Sequence, residues 1–294
     1  MLDTETLIKV VIPITMFSLM FAMGLTLTSA DFKRILAVPR ATLMGLVVLL
    51  LVLPVMGLSL AYAFNLPLMM AVGLVALAAC PGGTTSNVVA HIGKGDTALS
   101  VTLTATATMA TLVTLPLWIN LSLYIFGGSG TNIEMPILQT GGQLFLFTVL
   151  PVLLGMFARS RKPALLKYEP LLTKISVVAM ASCFILMAVI DEHDSFSRAG
   201  QVILPTVLLI LLAAVVGFVV PKLAGVNVKS SATIAVESCL KNILISFFLA
   251  SSALSSLDAA LASAVAGAII MPVAICVMLA FNLFNKSQEK LAAS

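Results

Sequence analysis

Residues 230–254 read SSATIAVESCLKNILISFFLASSAL, with Glu237 and Lys241 close to the middle. The stretch is apolar over a length that crosses a bilayer, since a spanning helix needs about 20 predominantly apolar residues. An ionisable group at the centre of such a helix costs roughly 2.5–3.5 kcal/mol on insertion scales. Such groups face a partner or a wet cavity, and they mark an ion or substrate path. Every other charged side chain in the sequence can be placed in water; these two cannot. Their i, i+4 spacing predicts that both lie on one helix face, in reach of each other.

The remainder of the chain has the same character. Of 294 residues, 60% are hydrophobic and 10% charged, and the mean hydropathy is +1.15. Soluble domains carry about 25% charge, so a soluble fold is excluded. Nine apolar segments can be drawn, at roughly 6–27, 41–63, 68–92, 97–126, 137–158, 172–190, 201–221, 230–254 and 260–283. Backbone polar groups in lipid must be satisfied within the segment, so the segments read as helices. The expected fold is all-α integral membrane, one polytopic domain over residues 1–294 with nine transmembrane helices. Connections are short and leave no room for a soluble domain. Asp3 and Glu5, in place of a basic run, argue against a cleaved signal peptide.

Charge fixes an orientation. With the N-terminus outside, the inward loops collect Lys33, Arg34, Arg40, Lys94, Arg159, Arg161, Lys162, Lys167, Lys174, Lys222, Lys229, Lys286 and Lys290, which is 13 of the 16 basic residues. The outward side keeps Lys9 and Arg198 and receives Glu134, Asp191, Glu192, Asp194 and Asp258. That asymmetry predicts N-out, C-in and nine crossings. The net charge of +4 follows from this topology and is no nucleic-acid signal. Cys80, Cys183, Cys239 and Cys276 lie in apolar segments without metal-ligand spacing and read as small core residues.

Two segments are interrupted at equivalent places. The third carries Cys80-Pro81-Gly82-Gly83-Thr84-Thr85-Ser86-Asn87, and the eighth carries Glu237-Ser238-Cys239-Leu240-Lys241-Asn242. Pro81 removes a helix donor and the two glycines loosen the backbone. Paired breaks in two halves point to a transporter binding site. After each break comes a helix rich in small residues with one proline, Pro116 in one half and Pro272 in the other. Segments five to nine form a unit broken in its fourth member, and segments one to four fit the same unit without its first helix. Five helices per unit is odd, so the two units must be inverted in the membrane.

The run Phe21-Ala22-Met23-Gly24-Leu25-Thr26-Leu27, then Asp31-Phe32, Asn65-Leu66-Pro67, residues 80–87 above and Gly95-Asp96-Thr97-Ala98-Leu99-Ser100 resemble the bile acid:sodium symporter family over nearly the whole chain. The Cys-Pro-Gly-Gly-Thr-x-Ser-Asn run is a specific signal. The resemblance implies an inverted-repeat core at about 41–126 and 201–283 and a panel at about 6–27 and 137–190, without the first helix of the ten-helix members. Two broken helices would cross near the midplane, with a substrate crevice between core and panel. The implied activity is secondary active transport of a small organic anion by alternating access. The cargo would be a keto or hydroxy monocarboxylate or a bile-acid-like molecule. The implied place is a bacterial plasma membrane. No enzyme activity and no obligatory protein partner are expected.

The family's first sodium site corresponds to Ser86, Asn87, Ser100, Thr104 and Glu237. Oxygen ligands with one carboxylate suit a small hard cation, and Ser100 and Thr104 share a helix face at i, i+4. At the second sodium site the family has glutamines where this chain has Leu49 and Lys241. Leucine offers no oxygen, and two cations a few ångström apart repel strongly in a poorly hydrated site. The resemblance therefore predicts one sodium or none, with the Lys241 ammonium in the second role. Lys241 can act as a permanent tethered cation paired with Glu237. Alternatively it titrates in the cycle and the carrier moves protons, or the pair is a static salt bridge. Backbone N–H groups after Gly83 sit at a helix N-terminus, which favours an anion. Thr84 and Thr85, with Asn87 and Asn242, are the candidate substrate-binding residues; Thr84 equally reads as an N-cap. His91 reads as a structural histidine, with a proton relay as the alternative.

Two rival classes remain at this point. Ser238-x-x-Lys241 has the nucleophile–base spacing of Ser/Lys hydrolases, although no oxyanion-hole signature accompanies it. A channel is the other, and a saturable, counter-substrate-stimulated flux would argue against it.

Overall fold

The computed structural model describes residues 10–29, 39–127, 137–190, 198–254 and 256–293. Lys9, Asp31, Phe32, Lys33, Arg34, Glu134, Asp191, Glu192 and Asp194, which carry part of the charge and motif expectations, lie outside them, as do the side chains of Lys286 and Lys290. Among the described residues every named element is helical.

The chain begins with α1 (Ile12–Thr26), then α2 (Pro39–Val47) and α3 (Leu53–Ala63). There follow α4 (Leu68–Ala79), α5 (Thr84–Ile92), α6 (Thr97–Gly127), α7 (Ile137–Leu144) and α8 (Leu150–Arg161). The last third holds α9 (Glu169–Ile190), α10 (Gly200–Leu223), α11 (Val228–Cys239), α12 (Ile243–Phe248) and α13 (Leu257–Ala293). Among the described residues five runs are long and apolar enough to span a membrane: Pro39–Ala63, Thr97–Gly127, Thr140–Arg161, Gly200–Leu223 and Leu257–Val277. Ile12–Thr26, Leu68–Ala79 and Ile243–Ala253 are shorter apolar helices. The third and eighth segments are each two helices, interrupted at Cys80–Gly83 and Leu240–Asn242, as the sequence predicts.

Proline shapes the long helices without ending them. Pro54 has no N–H to give the Leu50 carbonyl four residues back. The helix widens into a π-turn over Val48–Val52, and Trp118 of α6, the only tryptophan, donates its Nε1 to Leu50 O at 2.9 Å. Trp118→Phe keeps the ring but withdraws that donor. Losing one hydrogen bond of this kind costs about 1–2 kcal/mol. The expected result is a lower midpoint in thermal unfolding of the purified protein, followed by circular dichroism.

α1 packs against α8 and α9, while α4 packs against α3, α6 and α13, and α10 against α11 and α13. The contact of α1 with α8 is backbone-close. A Cβ on Gly155 would lie 2.8 Å from Gly24 Cα, so only glycine fits. Small residues let helices approach in this way in lipid, where dispersion replaces the hydrophobic effect as the driving force. One turn on, Arg159 donates to the carbonyls of Leu25 (3.2 Å) and Thr26, and so places a cation on the C-terminal end of α1. Arg198 pairs with Asp258, in the first turn of α13, at 3.0 Å. Cys80, Cys183 and Cys239 are buried, but Cys276 is exposed. It shares an outward face of α13 with exposed Ile275 and Leu279, so the expectation of a core residue fails there.

The crossing of two broken helices as candidate functional site

Each break supplies the backbone partners the other lacks. Gly83 N donates to Leu240 O at 2.9 Å, and Asn242 N donates to Pro81 O at 2.8 Å. The two strands of broken backbone form one antiparallel bridge, Gly82 opposite Lys241. Buried backbone polar groups need partners, and here the partners come from a segment far away in sequence. Gly82 is forced by the same crossing, because a Cβ there would run into the Glu237 carboxylate.

Glu237 is fully buried at the last turn of α11. Ser100 Oγ donates to its Oε2 at 2.8 Å, and Thr104 Oγ1 donates to its Oε1. Both donors stand on one face of α6, as i, i+4 spacing requires. Ser100 Oγ is also 2.8 Å from Asn87 Oδ1. One hydroxyl has one hydrogen, so it cannot serve both acceptors. A cation among these oxygens, or an Asn87 amide turned to present its NH2, resolves the conflict. Ser86, buried in the first turn of α5, donates to Gly83 O at 2.6 Å and lies against the same carboxylate. The five residues predicted from sequence therefore meet around one carboxylate. The set is all oxygen, which suits a hard cation. Among the described residues no group of three His, Cys, Asp or Glu could hold a transition metal.

Lys241 does something other than the spacing predicts. Its Nζ donates to the Cys80 carbonyl at 2.9 Å, and among the described residues no ion pair joins it to Glu237. The reason is local: α11 ends at Cys239, and Leu240 leaves the helix with φ −87° and ψ 68°. The i, i+4 relation holds only in a continuous helix. Sequence reasoning missed the Cys80 carbonyl. The signal was present, since a break after residue 80 frees the carbonyl that a continuous helix would satisfy.

The remaining candidates divide. Thr85 is exposed on the crossing, whereas the side chain of Thr84 lies outside the described residues. Asn242 is buried and its Oδ1 accepts from Ile245 N at 3.2 Å, so it caps α12. His91 is exposed at the end of α5. Leu49 is fully buried in a cluster with Leu99 and Leu103. Ser238 Oγ is buried without a hydrogen-bond partner and abuts Gly217, and the ammonium of Lys241 is engaged elsewhere. A nucleophile–base pair is not assembled. Beside the crossing, bounded by α1, α9, α12 and α13, is a cavity of about 540 Å³. Thr85, Lys241 and Asn242 lie in its wall, opposite apolar side chains such as Met20, Met180 and Phe247.

Comparison with known proteins identifies the family. The model of the sodium bile acid symporter family matches residues 13–198. The chain belongs to that family. Within the sodium bile acid symporter family, it is 32% identical over 247 residues to the "Uncharacterized sodium-dependent transporter YocS" of Bacillus subtilis, covering 82% of this chain and 74% of that protein. It is 28% identical over 243 residues to the ileal sodium/bile acid cotransporter of Oryctolagus cuniculus, covering 81% and 68%. It is also 28% identical over 233 residues to the chloroplast "Probable sodium/metabolite cotransporter BASS2" of Oryza sativa subsp. japonica. There the match covers 79% of this chain and only 54% of the longer plant protein. These relatives are named as transporters, and the hydrolase reading of Ser238 and Lys241 finds no counterpart among them.

Proposed function

We propose that the protein is a sodium-coupled secondary transporter of an organic anion, working by alternating access with one bound sodium. The observation that carries this is the buried Glu237 carboxylate, ringed by Ser86, Asn87, Ser100 and Thr104 where two broken helices cross. A lone carboxylate at membrane depth is costly, and a cation among its oxygens offsets that cost. The names of the relatives, sodium-dependent transporter and sodium/bile acid cotransporter, support sodium as the coupling ion and an anion as cargo.

In this reading Lys241 fills the role of a second sodium. Its ammonium is tethered to the Cys80 carbonyl beside the crossing, so one fixed charge replaces one mobile ion. Thr84, Thr85, Asn87 and Asn242 receive the substrate. The chain crosses a bacterial plasma membrane nine times, N-terminus out and C-terminus in, as inverted units. Helices near 6–27 and 137–190 act as a panel against which the core moves.

The test is uptake of labelled monocarboxylates into proteoliposomes under separately imposed sodium and pH gradients, with wild type beside Lys241→Gln. Wild-type uptake should follow sodium with a Hill slope near one, whereas the variant should lose uptake or become steeper in sodium. Uptake that ignores sodium and follows the proton gradient would replace this reading with proton coupling.

A further inference from the structure

We infer that Thr233 is a positioning residue for the cation site: its hydroxyl sets the register between the helix that carries Glu237 and the helix that carries Ser100 and Thr104. This rests on the sodium reading above and adds what holds that site in shape. Thr233 is 1% exposed and stands one turn before Glu237 on α11. Its Oγ1 donates to Lys229 O at 2.9 Å and accepts from Asp96 N at 2.8 Å. Asp96 stands one turn before Ser100, at the start of α6. Its carbonyl accepts from Ser100 N at 3.0 Å and its Oδ1 accepts from Leu99 N at 3.1 Å, so it caps the helix. The N–H of a capping residue lies outside the helical ladder, and here α11 accepts it. Residues 96 and 233 are 137 positions apart, and so are Ser100 and Glu237. The two bonds are successive rungs between helices that run in the same direction.

The same hydroxyl reaches the third helix of the site. α5 carries Ser86 and Asn87 and ends in a closed turn, with Gly93 N on Val89 O at 2.8 Å and Gly95 N on Ala90 O at 2.8 Å. A Cβ on Gly95 would lie 2.9 Å from Thr233 Oγ1, so the turn sits directly against that oxygen. The oxygen cluster draws its residues from α5, α6 and α11, and Thr233 touches the joint between the first two. Binding constellations must be held within about 0.5 Å of their working geometry, so a slip at this joint would spread the oxygens. At the other break the same place in the helix carries no hydroxyl. α4 also has 12 residues, and its sixth, Gly73, packs straight onto the backbone of Ala259. The sixth of 12 in α11 is Thr233. Helix packing alone does not require a hydroxyl there; a fixed register one turn before the carboxylate does.

Sodium titrations of the purified protein test this, read as the shift in thermal unfolding midpoint against potassium at equal ionic strength. Thr233→Val keeps the shape of the side chain but removes the acceptor for Asp96 N. It should raise the half-saturating sodium concentration at least about tenfold, the cost of stranding one buried donor. Thr233→Ser restores the hydroxyl and should return the wild-type value. Gly95→Ala presses on the same oxygen from the turn between α5 and α6. It should weaken sodium as Thr233→Val does, and it decides the matter if the valine variant does not fold. A role confined to stability would lower the midpoint of Thr233→Val in potassium and leave its sodium titration unchanged, which would overturn the inference. A serine variant as weak for sodium as the valine one would do the same. A wild type that sodium does not stabilise sinks the sodium reading itself, and this inference with it. A normal sodium response in wild type, Thr233→Val and Gly95→Ala sinks the inference alone.

Discussion

Glu237→Gln should lower sodium-driven uptake by at least about a hundredfold while the protein still folds. The amide keeps the volume of the side chain and can still accept from Ser100 or Thr104, so the crossing retains its shape. What is lost is the single negative charge within the oxygen cluster. Interactions with a charged group are worth about 1.5–3 kcal/mol each, and about 2.8 kcal/mol is a hundredfold in affinity. The loss should appear in binding of radioactive sodium to purified protein as well as in proteoliposome flux. A Gln variant that still couples to sodium at wild-type strength would remove this carboxylate from the coupling site. Glu237→Ala would be a poorer probe, because it also strands the Ser100 and Thr104 hydroxyls.

Gly82→Ala should be nearly as damaging, although it adds only one methyl group. The added carbon would run into the Glu237 carboxylate, and its Cγ lies 3.1 Å away. Either the carboxylate leaves Ser100 and Thr104, or the backbone bridge to Lys241 opens. Overpacking of this kind costs about 1–3 kcal/mol. Transport should fall at least about tenfold, with a lower unfolding midpoint, and Gly83→Ala makes the comparison. The space around a Cβ on Gly83 holds nothing nearer than Asn242 Cα at 3.8 Å, so that variant should remain active. Equal activity of the two alanine variants would show that the Gly82 contact is unimportant.

How far the sequence could be read differs between the two breaks. Pro81 and its glycines announce the first, because proline removes a donor and glycine tolerates the bend. The second has neither. Leu240, Lys241 and Asn242 come out of the helix because Pro81 and Gly83 offer backbone partners and because the Asn242 side chain caps α12. Tertiary bonding of that kind leaves no local signature, so charge at membrane depth was the legible clue. For the same reason the i, i+4 relation of Glu237 to Lys241 misled. Helical spacing is a valid ruler for Ser100 and Thr104 inside α6, and it stops being one where the helix stops. The oxygen cluster was legible in identity but not in its competition for hydrogens, which depends on how Asn87 approaches Ser100. The role of Trp118 was invisible, because it answers a vacancy created by Pro54 on a different helix.

The hydrogen bond from Lys241 to the Cys80 carbonyl joins residues 161 positions apart across the two breaks. Ribosomes add about 5–20 residues per second, so the first break emerges roughly 8–30 s before the segment that completes it. Throughout that interval the backbone around Pro81–Gly83 has no partner of its own inside the bilayer. Assembly in the membrane therefore has a waiting step built in, during which the half-made protein depends on water or on the insertion machinery. A truncation ending before Leu240 should be recognised by quality-control proteases, however well its earlier helices have inserted.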